Sequence, residues 1–233
     1  MQSFIIPNEI IPFINLYSLK NDKDDFSMIR LCKTAIEKNF SSITVDMEQL
    51  ENVWKWLETS NVKLCGSVNM IQNTMSPTVL FKSIKSVFEN GADMAEVIMP
   101  LEFSNINEEH IPTIMLEYLN VIEEAKNNRV AKVCMETGYI TYLSQIKLII
   151  GLMQKYNIDI IKTASSFYKN AFSNLNHLNS ILDNVNNINT KIDFLFDVKN
   201  SNKFIIDDAF RLLKKSRISL ENPLIISYPI EFL

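Results

Sequence analysis

Residues 94–99 read MAEVIM, residues 131–135 read AKVCM and residues 158–162 read IDIIK. Each run is short, mostly apolar and carries β-branched residues, as expected of a β-strand. The longer stretches between such runs place apolar residues three and four positions apart, for example at Leu175, Leu178 and Leu182, which is typical of an amphipathic helix. This alternation predicts parallel strands joined by helical crossovers.

The same alternation extends along the whole chain. Further strand-like runs occupy residues 13–17, 42–45, 62–68 and 192–196, and a weaker eighth run occupies residues 217–220. Right-handed crossovers allow an open doubly wound sheet or a closed barrel. Seven or eight units favour the barrel, and the first run is followed by Tyr17-Ser18-Leu19-Lys20 rather than by a glycine-rich nucleotide-binding turn. We therefore predict an α/β fold, a (β/α)8 TIM barrel, as a single domain over residues 1–233.

Composition excludes several classes of protein. The chain has 233 residues, 47% of them hydrophobic, and a net charge of -4, so it can bury a core and lacks the positive charge of a nucleic-acid binder. No run reaches the roughly 18 uncharged apolar residues of a membrane span, and we expect the apolar residues 1–16 to be neither a signal peptide nor an anchor. Three cysteines without metal-like spacing fit a reducing cytoplasm.

Lys162 is the strongest candidate for a catalytic residue. It closes the apolar run 158–161 and precedes the polar residues 163–166, so in a barrel it would stand at the catalytic, C-terminal end of a strand. Burial disfavours the charged form of a lysine, which would lower the pKa and free the neutral amine for Schiff-base chemistry. The alternative is a lysine whose stem covers apolar surface while its ammonium remains in water.

Other ionisable residues interrupt the neighbouring runs. Alternation places Lys132, Cys134 and Glu136 on one face of their strand, and an inward Lys132 needs a partner such as Glu96 or Glu136. Glu96 is either half of a structural ion pair or a proton carrier, and the sequence leaves both open. We expect the two histidines, His110 and His177, to lie on loop or helix surface.

Two motifs resemble those of a known family. Residues 132–138, KVCMETG, are similar to the Lys-Val-Ile-Ile-Glu-Thr-Gly strand of the 2-deoxyribose-5-phosphate aldolases, and residues 161–167, IKTASSF, are similar to their Val-Lys-Thr-Ser-Thr-Gly-Phe. Residues 31–35, residues 90–93 and the order of the strands extend the resemblance over nearly the whole chain.

The resemblance implies a class I aldolase that needs neither a metal nor a cofactor. By this likeness Lys162 is the Schiff-base lysine and Lys199 is a neighbouring ammonium that lowers its pKa. Glu96 is the proton-relay carboxylate, and Lys132 is a further active-site lysine. A second positive charge disfavours charging of the first lysine, and a carboxylate can carry the protons that imine formation requires.

The sequence also departs from the family pattern. Glu96 stands where the family has aspartate, and the family's Asp-Leu-Thr becomes Asn15-Leu16-Tyr17. The family's glycine-bearing loops hold phosphate through backbone N–H groups, but the chain has only four glycines in all, and Glu221 adds a negative charge. We therefore expect the phosphate-binding site to be degraded, a loss for which the positive charge of Lys203 could compensate. The expected substrate-binding residues are Asn15, Thr163, Ser166, Ser201, Asn202 and Ser219.

These observations lead to two main functional hypotheses. The first is an enzyme, a Schiff-base aldolase that reversibly cleaves a deoxy sugar or sugar phosphate into an aldehyde pair. The alternative is a noncatalytic aldolase-like barrel retained for binding or assembly, and an enzyme of unrelated chemistry is a third reading. The expected partner is a small-molecule aldehyde or sugar, with no nucleic acid and no membrane. A homodimer is the expected assembly.

Overall fold

The described part of the chain has eight parallel strands at its centre. The computed structural model describes residues 8–18, 25–69, 75–165, 175–185, 190–195 and 225–229. Within these ranges the strands are β1 (Ile14–Ser18), β2 (Ser42–Asp46), β3 (Lys63–Asn69), β4 (Met94–Ile98), β5 (Val130–Cys134), β6 (Ile160–Lys162), β7 (Lys191–Leu195) and β8 (Ile225–Pro229). They pair in sequence order, and β8 pairs in parallel with β1, which closes the barrel.

A helix follows each of the first six strands. The α-helices in the described ranges are α1 (Asp25–Glu37), α2 (Leu50–Leu57), α3 (Pro77–Glu89), α4 (Thr113–Lys126), α5 (Leu143–Lys155) and α6 (Leu175–Asn184). Short 3-10 helices occupy Asn8–Phe13, Met47–Gln49, Leu101–Asn105 and Thr137–Tyr139. None of the described helices is long and apolar enough to cross a membrane.

Local sequence explains where individual helices begin and end. The Ser76 hydroxyl accepts a hydrogen bond from the Val79 N–H, and Pro77 supplies the fixed φ that suits the first helical position, so α3 begins there. Asn127 adopts the left-handed conformation (φ 46°) directly after α4 and ends that helix. These capping signals depend only on neighbouring residues, so they specify the helix ends independently of the packing of the barrel.

Alternation along the strands separates two buried layers. Residues such as Ala95, Val97 and Val133 point outward and pack in one large cluster with the helices. Burying a side chain of this size contributes about 1.5–3 kcal/mol, so the helices are held mainly by this layer. A separate small cluster, Cys65, Met94 and Ile160, fills the interior of the barrel towards the N-terminal ends of the strands.

The structure confirms the predicted α/β barrel and shows which residues close it. The closing strand is Ile225–Pro229, and the predicted run at residues 217–220 lies outside the described residues. Ile225 and Ile226 supply the β-branched residues of β8, but the run ends at a proline, which weakens its sequence signal. The complete (β/α)8 pattern stays a prediction, because residues 196–224 and 230–233 are not described.

Candidate active site

Lys162 is the last residue of β6, at the C-terminal end of the barrel strand. Its side chain is fully buried, so the alternative of an ammonium in water is wrong. The Nζ atom donates to both carboxylate oxygens of Glu96 on β4, at 2.7 and 2.9 Å. The centroid of the Tyr17 ring on β1 lies 5.4 Å from Nζ, within the range of a cation–π interaction.

Lys132 on β5 lies beside this pair and connects it to a second carboxylate. Its Nζ donates to the Asp193 Oδ2 atom on β7 at 2.5 Å and lies 3.6 Å from the Glu96 Oε2 atom. All four side chains are completely excluded from solvent. Lys162, Lys132 and Glu96 therefore lie together inside the barrel, as expected from the alternating direction of side chains along each strand. Asp193 lies with them.

A chain of hydrogen bonds extends from Asp193 to the first two strands. The Ser227 hydroxyl of β8 donates to Asp193 Oδ1 at 2.8 Å and accepts from the Asn15 amide at 3.0 Å. The Asn15 carbonyl oxygen accepts from the hydroxyls of Ser42, at 2.7 Å, and Thr44, at 3.0 Å. Asn15, which we expected to bind substrate, is thus a fully buried member of this network.

The charge state of Lys162 differs from the sequence-based expectation. Burial alone would lower the pKa of Lys162, but the nearby Glu96 and Asp193 carboxylates outweigh burial and raise it above the ordinary value. Burial likewise lowers the pKa of Lys132, and Asp193 and Glu96 more than restore it. The expected depression of the Lys162 pKa is therefore wrong for this structure, in which two ammoniums face two carboxylates.

The described part of β7 contributes an acid to the site. The β7 residue in register with Lys162 is Asp193, whose carbonyl oxygen also accepts from the Thr163 N–H at 2.9 Å. Lys199, the residue to which the resemblance assigned the second lysine, lies outside the described residues. The same holds for Ser166, Ser201, Asn202, Ser219, Lys203 and Glu221.

Thr163 and Glu136 fix the backbone next to Lys162. The Thr163 hydroxyl is fully buried and accepts from the Leu195 N–H at 3.2 Å. Glu136 has a left-handed backbone (φ 49°), and both its carboxylate oxygens accept from the Ser165 N–H at 3.1 Å. Burial raises the pKa of Glu136. Glu136 is therefore not the partner of Lys132, which pairs with Asp193 and Glu96.

The two histidines, both predicted to lie on the surface, differ in their exposure to solvent. His110 is exposed, as expected. His177 is buried on α6 rather than on the surface, because it lies on the apolar face of that helix beside Leu178 and Ile181, and burial lowers its pKa. Within the described ranges, no group of three or more His, Cys, Asp or Glu residues is arranged to hold a metal ion.

Sequence reasoning missed Asp193, Ser227 and Ser67. Asp193 interrupts an apolar run just as Glu96 does, so the same signal could have found it. Ser227 lies on the strand that the sequence placed elsewhere. Ser67 is in register with Glu96, and its buried hydroxyl has no hydrogen-bond partner among the residues the structure describes.

The fold and this site define a class of protein: α/β barrels with a lysine buried at the C-terminal end of a strand against a carboxylate. The chain is 28% identical over 149 residues to a deoxyribose-phosphate aldolase of Clostridium perfringens, a match covering 64% of this chain and 65%, just under two thirds, of the relative. It is 27% identical over 164 residues to the deoxyribose-phosphate aldolase of Caldicellulosiruptor saccharolyticus, covering 69% of this chain and 73% of the relative. No family model matches the chain.

Solved structures show the same fold. An aldolase named QR15 superposes with a TM-score of 0.77 over 96% of this chain and 92% of its own, at 16% identity. A deoxyribose phosphate aldolase of Aeropyrum pernix, also 16% identical, superposes with a TM-score of 0.69 over 96% of this chain and 88% of its own. The chain is therefore similar in sequence to deoxyribose-phosphate aldolases, as the two sequence motifs indicated, and it shares their fold.

Proposed function

We propose that the protein is a class I aldolase in which Lys162 forms a Schiff base with an aldehyde. The observation that carries this proposal is the position of Lys162, fully buried at the end of β6 with both Glu96 oxygens within 2.9 Å. Barrel enzymes place their reacting groups at this end of the strands. The named activity of the curated relatives supports the same chemistry.

Glu96 can supply the proton transfers, because it already holds the Lys162 ammonium. In the proposed sequence Glu96 takes one proton from Nζ, and the free amine attacks the carbonyl carbon to form a C–N bond. The carbonyl oxygen then receives that proton and, after a second transfer from nitrogen, leaves as water. Ammonium and aldehyde thus give a protonated imine and water with no net gain or loss of protons.

The protonated imine would then act as an electron sink. Glu96 would then take the proton of the substrate's β-hydroxyl, the bond between the α- and β-carbons would break with its electron pair moving toward the cationic nitrogen, and the β-carbon would leave as an aldehyde. The proton would return to the α-carbon of the enamine, and water would hydrolyse the imine to release the second aldehyde and the Lys162 ammonium. The Tyr17 ring faces Nζ and can stabilise the iminium as it does the ammonium. The proposed substrate is a deoxy sugar or sugar phosphate. Lys132 would be a further active-site lysine beside this pair, and Lys199 remains a proposed second lysine.

Trapping with acetaldehyde and borohydride, followed by intact mass and peptide mapping, tests this proposal. Wild-type protein should gain one ethyl group on Lys162, and Lys162→Met should gain none at that site. Lys147→Met, which removes an exposed lysine on α5, is the matched control and should be trapped like wild type. Absence of a Lys162 adduct in wild type under forcing conditions would instead favour the noncatalytic barrel.

We further propose that the enzyme shows little preference for a phosphorylated substrate. Ser166, Ser201, Asn202 and Ser219 stand at the family's glycine positions, and each lost backbone contact costs about 1–2 kcal/mol. Several such losses would remove most of the roughly 4 kcal/mol that separates millimolar from micromolar binding. The measurement is the ratio of cleavage efficiencies for 2-deoxyribose 5-phosphate and 2-deoxyribose. A preference of about a thousandfold, or roughly 4 kcal/mol, for the phosphate would refute it.

The remaining expectations stay proposals of the same kind. They are a complete (β/α)8 barrel over residues 1–233, a metal-free reaction, a cytoplasmic location and a homodimer. The three free, buried cysteines fit a reducing compartment. The Aeropyrum pernix relative is described as tetrameric, so light scattering on the purified chain should distinguish a dimer from a tetramer.

A further inference from the structure

Asp193 occupies a fixed place in the middle of β7. Its Cα is in register with that of Lys162, and its side chain is fully buried. One carboxylate oxygen accepts from Lys132 at 2.5 Å, and the other accepts from Ser227 at 2.8 Å. Because both oxygens are engaged, by β5 and β8, the carboxylate cannot turn without breaking a buried hydrogen bond.

This arrangement determines which lysine forms the main ion pair with Glu96. Lys132 lies 3.6 Å from one Glu96 oxygen but 2.5 Å from Asp193, so its main partner is Asp193. Glu96 is left to accept both hydrogen bonds from Lys162. Without Asp193, the buried Lys132 ammonium would have Glu96 as its nearest carboxylate among the described residues and would compete with Lys162 for it.

We propose that Asp193 is a positioning residue: it binds the Lys132 ammonium, reserves Glu96 for Lys162 and thereby holds Lys162 as an ammonium in the resting site. This inference rests on the proposed function, because it concerns how that site is prepared for reaction. The reactive amine would then arise only by proton transfer to Glu96, and not from a lysine that is already neutral.

The groups around Lys162 agree with this assignment. Burial lowers the pKa of Lys162 while Glu96 and then Asp193 raise it, with the net effect upward. Among the residues that the structure describes, the titratable and charged groups that face it are Glu96 of β4, Asp193 of β7, Lys132 and Cys134 of β5, Glu136 after β5, Cys65 of β3 and Tyr17 of β1. Lys132 is the one positive charge in this described set, and Asp193 binds it.

The test is a pH titration of the Lys162 Cε resonance in full-length protein with 13C-labelled lysine, assigned by its loss in Lys162→Met. Wild-type Lys162 should titrate above 10.5, the ordinary lysine pKa. In Asp193→Asn the midpoint should fall by about one pH unit or more, which raises the neutral fraction at a given pH about tenfold. Borohydride trapping of the same variant should shift to lower pH with it.

Asp159→Asn is the matched control. Asp159 also accepts from a lysine ammonium, that of Lys126, and from a backbone N–H, that of Ala131, but it lies before β6 at the other end of the strand. It should leave the Lys162 midpoint unchanged. A midpoint that stays at the wild-type value in Asp193→Asn, or that moves equally in Asp159→Asn, would overturn the inference.

Two further outcomes distinguish a failure of this inference from a failure of the proposed function. If Asp193→Asn does not fold, the wild-type titration decides alone, because a Lys162 midpoint below 10.5 contradicts net stabilisation of the ammonium by the neighbouring carboxylates and one above supports it. If the titrations behave as expected but wild type forms no adduct, Asp193 sets the charge of Lys162 as inferred and the aldolase function is what fails.

Discussion

Replacing Glu96 by glutamine tests whether the buried charges depend on one another. Glu96, Lys162, Lys132 and Asp193 are all completely excluded from solvent, and Glu96 lies within 3.6 Å of both ammoniums. The substitution keeps the shape of the side chain but leaves two buried ammoniums facing one carboxylate. Removing one partner of a buried ion pair costs about 3–5 kcal/mol, a large part of the roughly 5–15 kcal/mol that stabilises a typical domain.

Urea denaturation monitored by circular dichroism measures this loss. With a slope of about 3 kcal/mol per molar urea, Glu96→Gln should lower the midpoint by about 1 M or more. The double variant Glu96→Gln with Lys162→Met removes both charges of the pair, so it should be more stable than Glu96→Gln alone. That recovery separates a broken charge pair from a general packing defect.

The exposed pair of Glu51 and Lys55 provides the control. The distance between the Lys55 Nζ and Glu51 Oε1 atoms is 2.7 Å, equal to that between Lys162 Nζ and Glu96 Oε1, but both side chains are exposed. Glu51→Gln should therefore leave the urea midpoint unchanged. A loss below about 1 kcal/mol in Glu96→Gln, or no recovery in the double variant, would refute the argument that these charges are desolvated and mutually dependent.

Two further predictions concern stability. The folded-state pKa of Lys162 lies above its ordinary value of 10.5, so its contribution to stability should be complete below that pH and should be lost as pH rises through the folded-state value. Urea midpoints at increasing alkaline pH should fall more steeply for wild type than for Lys162→Met, and equal slopes would contradict this. Ser67→Ala removes a buried hydroxyl without a partner in the described structure and should leave the free energy of unfolding unchanged or raise it by up to about 1 kcal/mol. Ser227→Ala, which breaks hydrogen bonds to Asn15 and Asp193, should lower the free energy of unfolding by about 1–3 kcal/mol. Equal losses of unfolding free energy in the Ser67 and Ser227 variants would show that the Ser67 hydroxyl has a hydrogen-bond partner.

The sequence by itself determined the layout of the barrel and part of its interior. Strand and helix periods are local properties, so runs such as residues 94–99 and 131–135 were located to within a residue or two. Alternation also placed Glu96, Lys132 and Lys162 on inward faces, and their order along neighbouring strands brought them together. β8 was missed because a run that ends in proline is a weak strand candidate, and its place is fixed by pairing with β1 and β7.

Only the tertiary structure decided how the interior charges pair. Lys132 and Asp193 are 61 residues apart, and Asn15 and Ser227 are 212 residues apart, so closure of the barrel is what joins them. The direction of the Lys162 pKa shift follows from the same closure. Burial and neighbouring carboxylates act in opposite directions, and which of them prevails depends on interatomic distances. A sequence shows that a lysine will be buried, but the charges that surround it belong to strands that meet only in the folded barrel.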